Sequence, residues 1–86
     1  MAWDLIFAPR ARKELADVPS RDREAIGRAL DRLGEDISSV DVKKLAGRSD
    51  QWRLRVGRWR VILLMDNATG TIYALRVLPR SEAYRD

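Results

Sequence analysis

The sequence predicts an α+β domain in which a helical hairpin packs on one face of a small, mainly antiparallel β-sheet. Three observations support this fold class. Apolar residues at helical spacing predict two helices in the first half of the chain, and alternating apolar and polar residues predict strands in the second half. Short turn sequences separate those strands. With 86 residues, the chain is expected to form one domain over residues 1–86.

The first half of the chain is predicted to form a short strand followed by two helices. The apolar residues 3–8, WDLIFA, predict the strand, and the proline after them suits the first turn of a helix over residues 10–17. Ser20 is expected to cap the second helix, and Gly34 to weaken or cap its end. Helical spacing is clearest in this second helix, at Ile26, Ala29, Leu30, Leu33 and Ile37.

The second half of the chain is predicted to form three consecutive antiparallel strands. They span residues 51–56, 59–66 and 71–78, and the sequences GR and NATG form the turns between them. Residues 38–50 are polar and irregular, so they are expected to form a loop. The predicted element order is therefore β-α-α-β-β-β.

Composition narrows the class of protein. The sequence contains no cysteine and no histidine, which removes thiolate metal sites, disulfides and the commonest acid–base side chain. We therefore expect no metal and no other cofactor. The apolar runs are too short for a signal peptide or a membrane span, so a cytoplasmic location is expected.

The charge is unevenly distributed along the chain. The net charge is +4, but residues 1–42 carry seven basic and nine acidic groups, whereas residues 43–86 carry ten basic and four acidic groups. A basic second half predicts a polyanionic partner. The alternative is surface charge that only keeps the protein soluble.

The sequence WRLRVGRWR, residues 52–60, places four arginines and two tryptophans in nine positions. Strand alternation directs both tryptophans toward the core, where packing is expected rather than base stacking. It directs Arg53, Arg55 and Arg60 to the opposite, solvent-facing side. A two-residue turn at residues 57–58 would place Arg55 directly across from Arg60.

This concentration of like charge predicts an anion site. Like charges that face each other destabilise a hairpin, whereas a guanidinium binds phosphate with two hydrogen bonds and stays protonated at neutral pH. The alternative is a solvated surface whose arginines pair with carboxylates, yet residues 48–60 contain a single acid, Asp50. The predicted phosphate-binding residues are Arg53, Arg55, Arg58, Arg60 and Arg85.

The C-terminal sequence PRSEAYRD adds a second basic and aromatic cluster. Pro79 ends the last strand, so Arg80 is expected to lie beside Arg60. Tyr84 either contributes to the phosphate site or docks the tail onto the sheet, and the sequence favours neither interpretation.

These motifs resemble the RelE/ParE superfamily of bacterial toxins from type II toxin–antitoxin systems, over nearly the whole chain. The most specific part is LRVGRWRVIL followed by RSEAY near the C-terminus. Together they are more similar to the RelE branch, whose members cut mRNA in the ribosomal A site, than to the ParE branch, which inhibits DNA gyrase.

The resemblance implies which residues form the active site and what they do. Arg60 and Arg80 would hold the scissile phosphate, and Tyr84 would orient the nucleotide. In the implied reaction the substrate's own 2′-hydroxyl attacks the adjacent phosphate and expels the 5′-oxygen, without a metal. The implied catalytic residues are Arg53, Arg55, Arg60, Arg80 and Tyr84.

The chain departs from the family pattern at positions that bear on this chemistry. Trp59 replaces the usual tyrosine, and Arg53 and Arg55 replace lysines. Arginine stays protonated and cannot act as the base that a lysine can provide. Cleavage would then depend on electrostatics and positioning.

The resemblance also implies partners. They are a cognate RelB-like antitoxin with a helical wrapping segment, the ribosome and its mRNA, and operator DNA bound through the antitoxin in a larger complex. Two alternatives stay open for the function. One is a ParE-like inhibitor of gyrase that does not cleave RNA, and the other is a catalytically silent family member that acts as a binding module.

Overall fold

The computed structural model describes residues 3–47 and 50–83 and confirms the α+β fold class. None of the helices in these residues is long and apolar enough to cross a membrane. A 3-10 turn at Ile37–Ser39 lies between the second helix and the second strand. The other elements are β1 (Asp4–Phe7), α1 (Pro9–Ala16), α2 (Ser20–Glu35), β2 (Val42–Lys44), β3 (Gln51–Val56), β4 (Trp59–Asp66), β5 (Thr71–Pro79) and α3 (Arg80–Ala83).

The strands form one five-stranded mixed sheet in the order β1-β5-β4-β3-β2. β1 is parallel to β5, and every other neighbouring pair is antiparallel. Residues of α1 and α2 pack with alternate residues of β3, β4 and β5, so the core lies between the helices and one face of the sheet. The buried core includes Ala11, Ile26, Leu30, Leu33, Leu54, Val61, Leu63 and Ile72.

The ends of α2 differ from the expectation. Ser20 is the first residue of the helix and not its cap, because Pro19 occupies the N-cap position and no side chain caps the helix there. Gly34 lies inside the helix, which continues to Glu35 and ends at Asp36. The Gly34 carbonyl accepts a hydrogen bond of 3.0 Å from the Trp3 N–H, so this residue ties the helix to the start of β1.

The segment expected to be a loop contains an additional strand. β2 is three residues long and pairs with β3, which places Lys43 opposite Arg53. The β3–β4 hairpin has the predicted bounds and the predicted two-residue turn, and Gly57 adopts a positive φ of 58° there. As predicted, Arg55 lies directly across from Arg60.

Glu14 of α1 holds the part of β5 that β1 does not reach. β1 pairs only with residues 71–74 of β5. Beyond them, the Glu14 carboxylate accepts the Val77 backbone N–H at 2.8 Å and the Arg76 Nη2 at 2.8 Å. Burial acts to raise the pKa of Glu14, but the hydrogen bonds from Arg76 and Val77 and the charge of Arg76 outweigh it and hold this pKa below its ordinary value.

We expect Glu14→Gln to lower the free energy of unfolding by about 1–3 kcal/mol at pH 7, because Arg76 and Val77 lose an ionised acceptor. A carboxyl group whose pKa is lowered by folding stabilises the protein above its unfolded pKa, about 4.3 for glutamate. This stability is lost as the pH falls through the lower, folded pKa. Urea unfolding at pH 7 and at pH 3 measures both effects, with exposed Glu24→Gln as control. An equal effect of both variants at pH 7 would contradict the role of Glu14.

Candidate phosphate-binding site

Four cationic side chains and one carboxylate meet on the face of the sheet opposite the helices. They line a shallow depression of about 50 Å³, which we call the cationic depression. β2, β3 and β4 supply the cations, and the residue before β2 supplies the carboxylate. The lining residues are Asp41, Lys43, Arg53, Arg55 and Arg60.

Strand alternation explains why these side chains share one face. Leu54 is completely buried in the core, so its neighbours Arg53 and Arg55 lie on the other side of β3. Trp52 and Trp59 both pack against the core, as the alternation predicted, and are not available to stack on a base from this face. The cross-strand pairs of Lys43 with Arg53, and of Arg55 with Arg60, then bring the four cations together.

Arg60 is on the predicted face, but it is buried instead of solvent-facing. Only 3% of the residue is exposed. Its Nη1 donates to the Gly57 carbonyl at 2.8 Å and to the Trp59 carbonyl at 2.9 Å, so the guanidinium braces the β3–β4 turn from inside. Arg60 therefore has a structural role in addition to the charge that it brings to the depression.

Arg55 is paired with a carboxylate that the sequence analysis did not single out. Its Nε lies 3.4 Å from Asp41 Oδ2, and its backbone N–H donates to the Asp41 carbonyl at 2.9 Å. The two side chains are 63% and 49% exposed, so this is a solvated ion pair and both groups are accessible. Asp41 was missed because it lies in the segment expected to be a loop, and its approach to Arg55 depends on the pairing of β2 with β3.

Two other predicted residues lie outside the cationic depression. Arg58 lies in the β3–β4 turn, and its Nη2 is 3.6 Å from Oδ2 of Asp22 in α2. Its Cζ lies over the Trp59 ring, 5.7 Å from the ring centroid. Arg80 begins α3 and is exposed, and its backbone N–H donates to the Arg58 carbonyl at 2.8 Å. Neither side chain lines the depression.

The remaining predicted residues, Tyr84 and Arg85, fall outside the residues that the structure describes.

The Trp59 side chain has its own polar partner on the helical side. Its Nε1 donates to Asp22 Oδ2 at 2.8 Å, which anchors the hairpin turn to the first turn of α2. An indole N–H that is partly shielded from water needs such an acceptor, and Asp22 meets that need. The two-residue turn before β4 is thus held in place by Arg60 on one face of the sheet and by Trp59 and Asp22 on the other.

The cationic depression has the chemistry of a phosphate site. Arg53 and Arg55 present guanidinium groups from alternate positions of β3, Lys43 adds an ammonium, and Arg60 adds a buried positive charge. Guanidinium groups bind phosphate oxygens with two hydrogen bonds, and a preorganised cluster also stabilises negative charge that develops on a phosphate. Both properties suit a site that binds and polarises a phosphodiester.

The family of the chain follows from its sequence. Residues 5–84 match the family of ParE toxins of type II toxin–antitoxin systems, parDE. The chain is a member of this toxin family. The expected membership of the RelE/ParE superfamily is therefore confirmed. Among curated protein sequences, none matches this toxin.

Several solved structures similar to this toxin are RelE proteins, which supports the RelE branch of the superfamily. One is RelE in the RelE–RelB complex of Pyrococcus horikoshii OT3, with 25% identity, a TM-score of 0.80, and 100% of both chains covered. Another is from the RelB–RelE antitoxin–toxin complex of Methanococcus jannaschii, with 27% identity, a TM-score of 0.78, and coverage of 93% of this chain and 95% of that one. The isolated Escherichia coli RelE toxin has 26% identity and a TM-score of 0.79, with 96% of this chain and 92% of that chain covered.

Proposed function

We propose that this toxin is an mRNA endoribonuclease that cuts in the ribosomal A site and so arrests translation. The observation that carries the proposal is the cationic depression, where Lys43, Arg53, Arg55 and Arg60 surround one small site. The similarity of the fold to RelE toxins supports it. RNA supplies both the phosphate that such a site binds and the 2′-hydroxyl that can cleave the chain without another nucleophile.

In the proposed reaction the 2′-oxygen attacks the adjacent phosphorus and the bond to the 5′-oxygen breaks, which leaves a 2′,3′-cyclic phosphate. Negative charge increases on the phosphoryl oxygens in the transition state. Guanidinium groups that are already in place stabilise this charge, and one such donor can contribute about 3 kcal/mol. Arg53 and Arg55 are the accessible donors, while Arg60 acts on the site from its buried position.

The C-terminal residues complete this proposal. Arg80 lies directly after β5, next to the turn that Arg60 braces, and is proposed to contact the RNA backbone on one side of the scissile phosphate. Tyr84 is proposed to orient the nucleotide by stacking or by a hydrogen bond to its hydroxyl groups. Arg58 and Arg85 are proposed to contact flanking phosphates.

Cleavage of an mRNA bound to ribosomes tests the proposal. We expect the purified toxin to cut within the A-site codon, and Arg53→Gln or Arg55→Gln to slow the cut by about 100-fold, because each removes one charged donor. Arg12→Gln is the matched control, since Arg12 is exposed on α1. A single 2′-deoxynucleotide at the cut site should abolish cleavage. Intact mRNA with the wild-type toxin, or a cut that survives the 2′-deoxy substitution, would contradict the proposal.

The ParE name of the matching family favours a second candidate, inhibition of DNA gyrase. In that function the arginines would form a protein-binding surface and no RNA would be cut. A supercoiling assay separates the two candidates, because only this second one predicts that purified toxin blocks gyrase while translation continues. Blocked supercoiling with intact mRNA would replace the endoribonuclease proposal by this one.

The proposed neutralising partner is a RelB-like antitoxin. Two of the similar structures are complexes of RelE with RelB, which supports this choice. An acidic, helical segment that folds as it wraps the toxin would neutralise the arginines and cover apolar grooves. Through that antitoxin, a larger complex would bind operator DNA. Co-expression tests the partner, since growth should recover only with an antitoxin that forms a stable complex with the toxin.

A further inference from the structure

Asp41 is the one carboxylate among the five described residues that line the cationic depression. It is placed there by its position immediately before β2 and by the backbone hydrogen bond from Arg55 to its carbonyl, which is 2.9 Å long. Its side chain is 49% exposed, so a bound RNA can reach it. The structural role of this residue as a partner of Arg55 needs only one of its two carboxylate oxygens, because Oδ2 makes the ion pair.

Three of the other four described side chains that line the depression, Arg53, Arg55 and Arg60, cannot act as a base, because a guanidinium keeps its proton at any physiological pH. The fourth, Lys43, is a donor as an ammonium and could accept a proton only after losing one. Attack by a 2′-hydroxyl is much faster when a positioned base removes its proton. A carboxylate accepts a proton without first having to lose one, so Asp41 has the required chemistry among the described lining residues.

Resting on the proposed endoribonuclease function, we propose that Asp41 is the catalytic base. It takes the proton of the 2′-hydroxyl as the bond from the 2′-oxygen to phosphorus forms. The bond from phosphorus to the 5′-oxygen breaks, and the departing 5′-oxygen takes a proton from water. Asp41 then returns its proton to solvent, so atoms and charge balance over one turnover.

Among the described residues that line a depression together with Asp41, the other charged side chains are cationic. Besides the four cations of the cationic depression, they are Arg28 and Arg32 of α2, which line a second depression of about 310 Å³ together with Asp41 and Arg55. Removal of the Asp41 charge therefore makes the surroundings more positive and should not weaken the binding of a polyanion. Loss of the Asp41 carboxylate is therefore expected to slow cleavage without weakening RNA binding. A variant that had lost its structure would instead be impaired in both.

Single-turnover cleavage of ribosome-bound mRNA by Asp41→Asn tests this inference. We expect the rate at saturating toxin to fall by about 100-fold or more, while the toxin concentration for half-maximal rate stays the same or falls. Asp41→Glu keeps a carboxylate and should recover part of the rate. Asp31→Asn is the matched control, because it removes the same charge beside Trp3 and Leu5, near the opposite edge of the sheet.

The pH dependence separates a base from a residue that only positions Arg55. Between pH 6 and pH 8 the wild-type rate should depend less steeply on pH than the Asp41→Asn rate, because the wild-type site supplies its own base. Without this base, hydroxide must remove the proton, so the Asp41→Asn rate should rise about tenfold per pH unit.

Parallel pH profiles for the wild type and Asp41→Asn, or equal rates, would overturn the role of Asp41 while leaving the proposed function intact. A wild-type toxin that does not cut ribosome-bound mRNA would instead overturn both.

Discussion

Arg60→Ala is expected to reduce cleavage of ribosome-bound mRNA by about 100- to 1000-fold. The guanidinium of Arg60 is almost completely buried beside the depression, so its charge acts on a bound phosphate through protein rather than through water. Charges act more strongly in such surroundings than at an open surface. Of the cations in the depression, Arg60 should therefore have the largest effect on the reaction.

The same substitution should also lower the free energy of unfolding, by about 1–3 kcal/mol. Gly57 and Trp59 would each lose the donor that now satisfies a backbone carbonyl. Both bonds come from the same nitrogen, Nη1, at the end of the arginine side chain. A lysine side chain is one bond shorter, so Arg60→Lys keeps the charge but should recover part of the activity and little of the stability. Cleavage rates and urea unfolding of both variants measure these effects. Wild-type cleavage by a folded Arg60→Ala protein would exclude Arg60 from the reaction.

Leu63→Ala is expected to lower the free energy of unfolding by about 2–5 kcal/mol. Leu63 is completely buried between the sheet and the helices, and the smaller side chain would leave a cavity that the surrounding core cannot fill. In a domain of this size 1 kcal/mol corresponds to about 4–8 °C in Tm, so the melting temperature should fall by at least about 8 °C. Thermal unfolding followed by circular dichroism measures the change.

The neighbouring residue is the natural control. Leu64 follows Leu63 on β4, faces the other side of the sheet and is only partly buried. Leu64→Ala should therefore cost less than half as much stability, since less apolar surface is lost and no closed cavity forms. Equal losses for the two variants would contradict the position of the core on one face of the sheet.

Strand alternation and turn sequences were sufficient to predict the hairpin. Apolar and polar residues alternate on both sides of a glycine-containing turn. This alternation gives the bounds of β3 and β4, the two-residue turn between them and the pairing of Arg55 with Arg60. β2 could not be found this way. Three residues are too few to show alternation, and the strand exists because β3 offers it a free edge.

The least predictable features of the site depend on contacts between distant parts of the chain. Nothing in the pattern of β4 distinguishes a buried Arg60 from a solvated one, because its burial depends on the carbonyls of the turn that it braces. Asp41 enters the site only because β2 pairs with β3. Arg58 shares the basic hairpin sequence but turns to Asp22, a partner that the fold of α2 provides.

The most direct test of the phosphate site is a structure of the toxin on a ribosome with an mRNA that is 2′-O-methylated at the A-site nucleotide. This modification removes the attacking hydroxyl and traps the complex before cleavage. The account predicts the scissile phosphate in the cationic depression, with its oxygens about 3 Å from the guanidinium nitrogens of Arg53 and Arg55. A phosphate bound on another face of the toxin, away from these arginines, would contradict it.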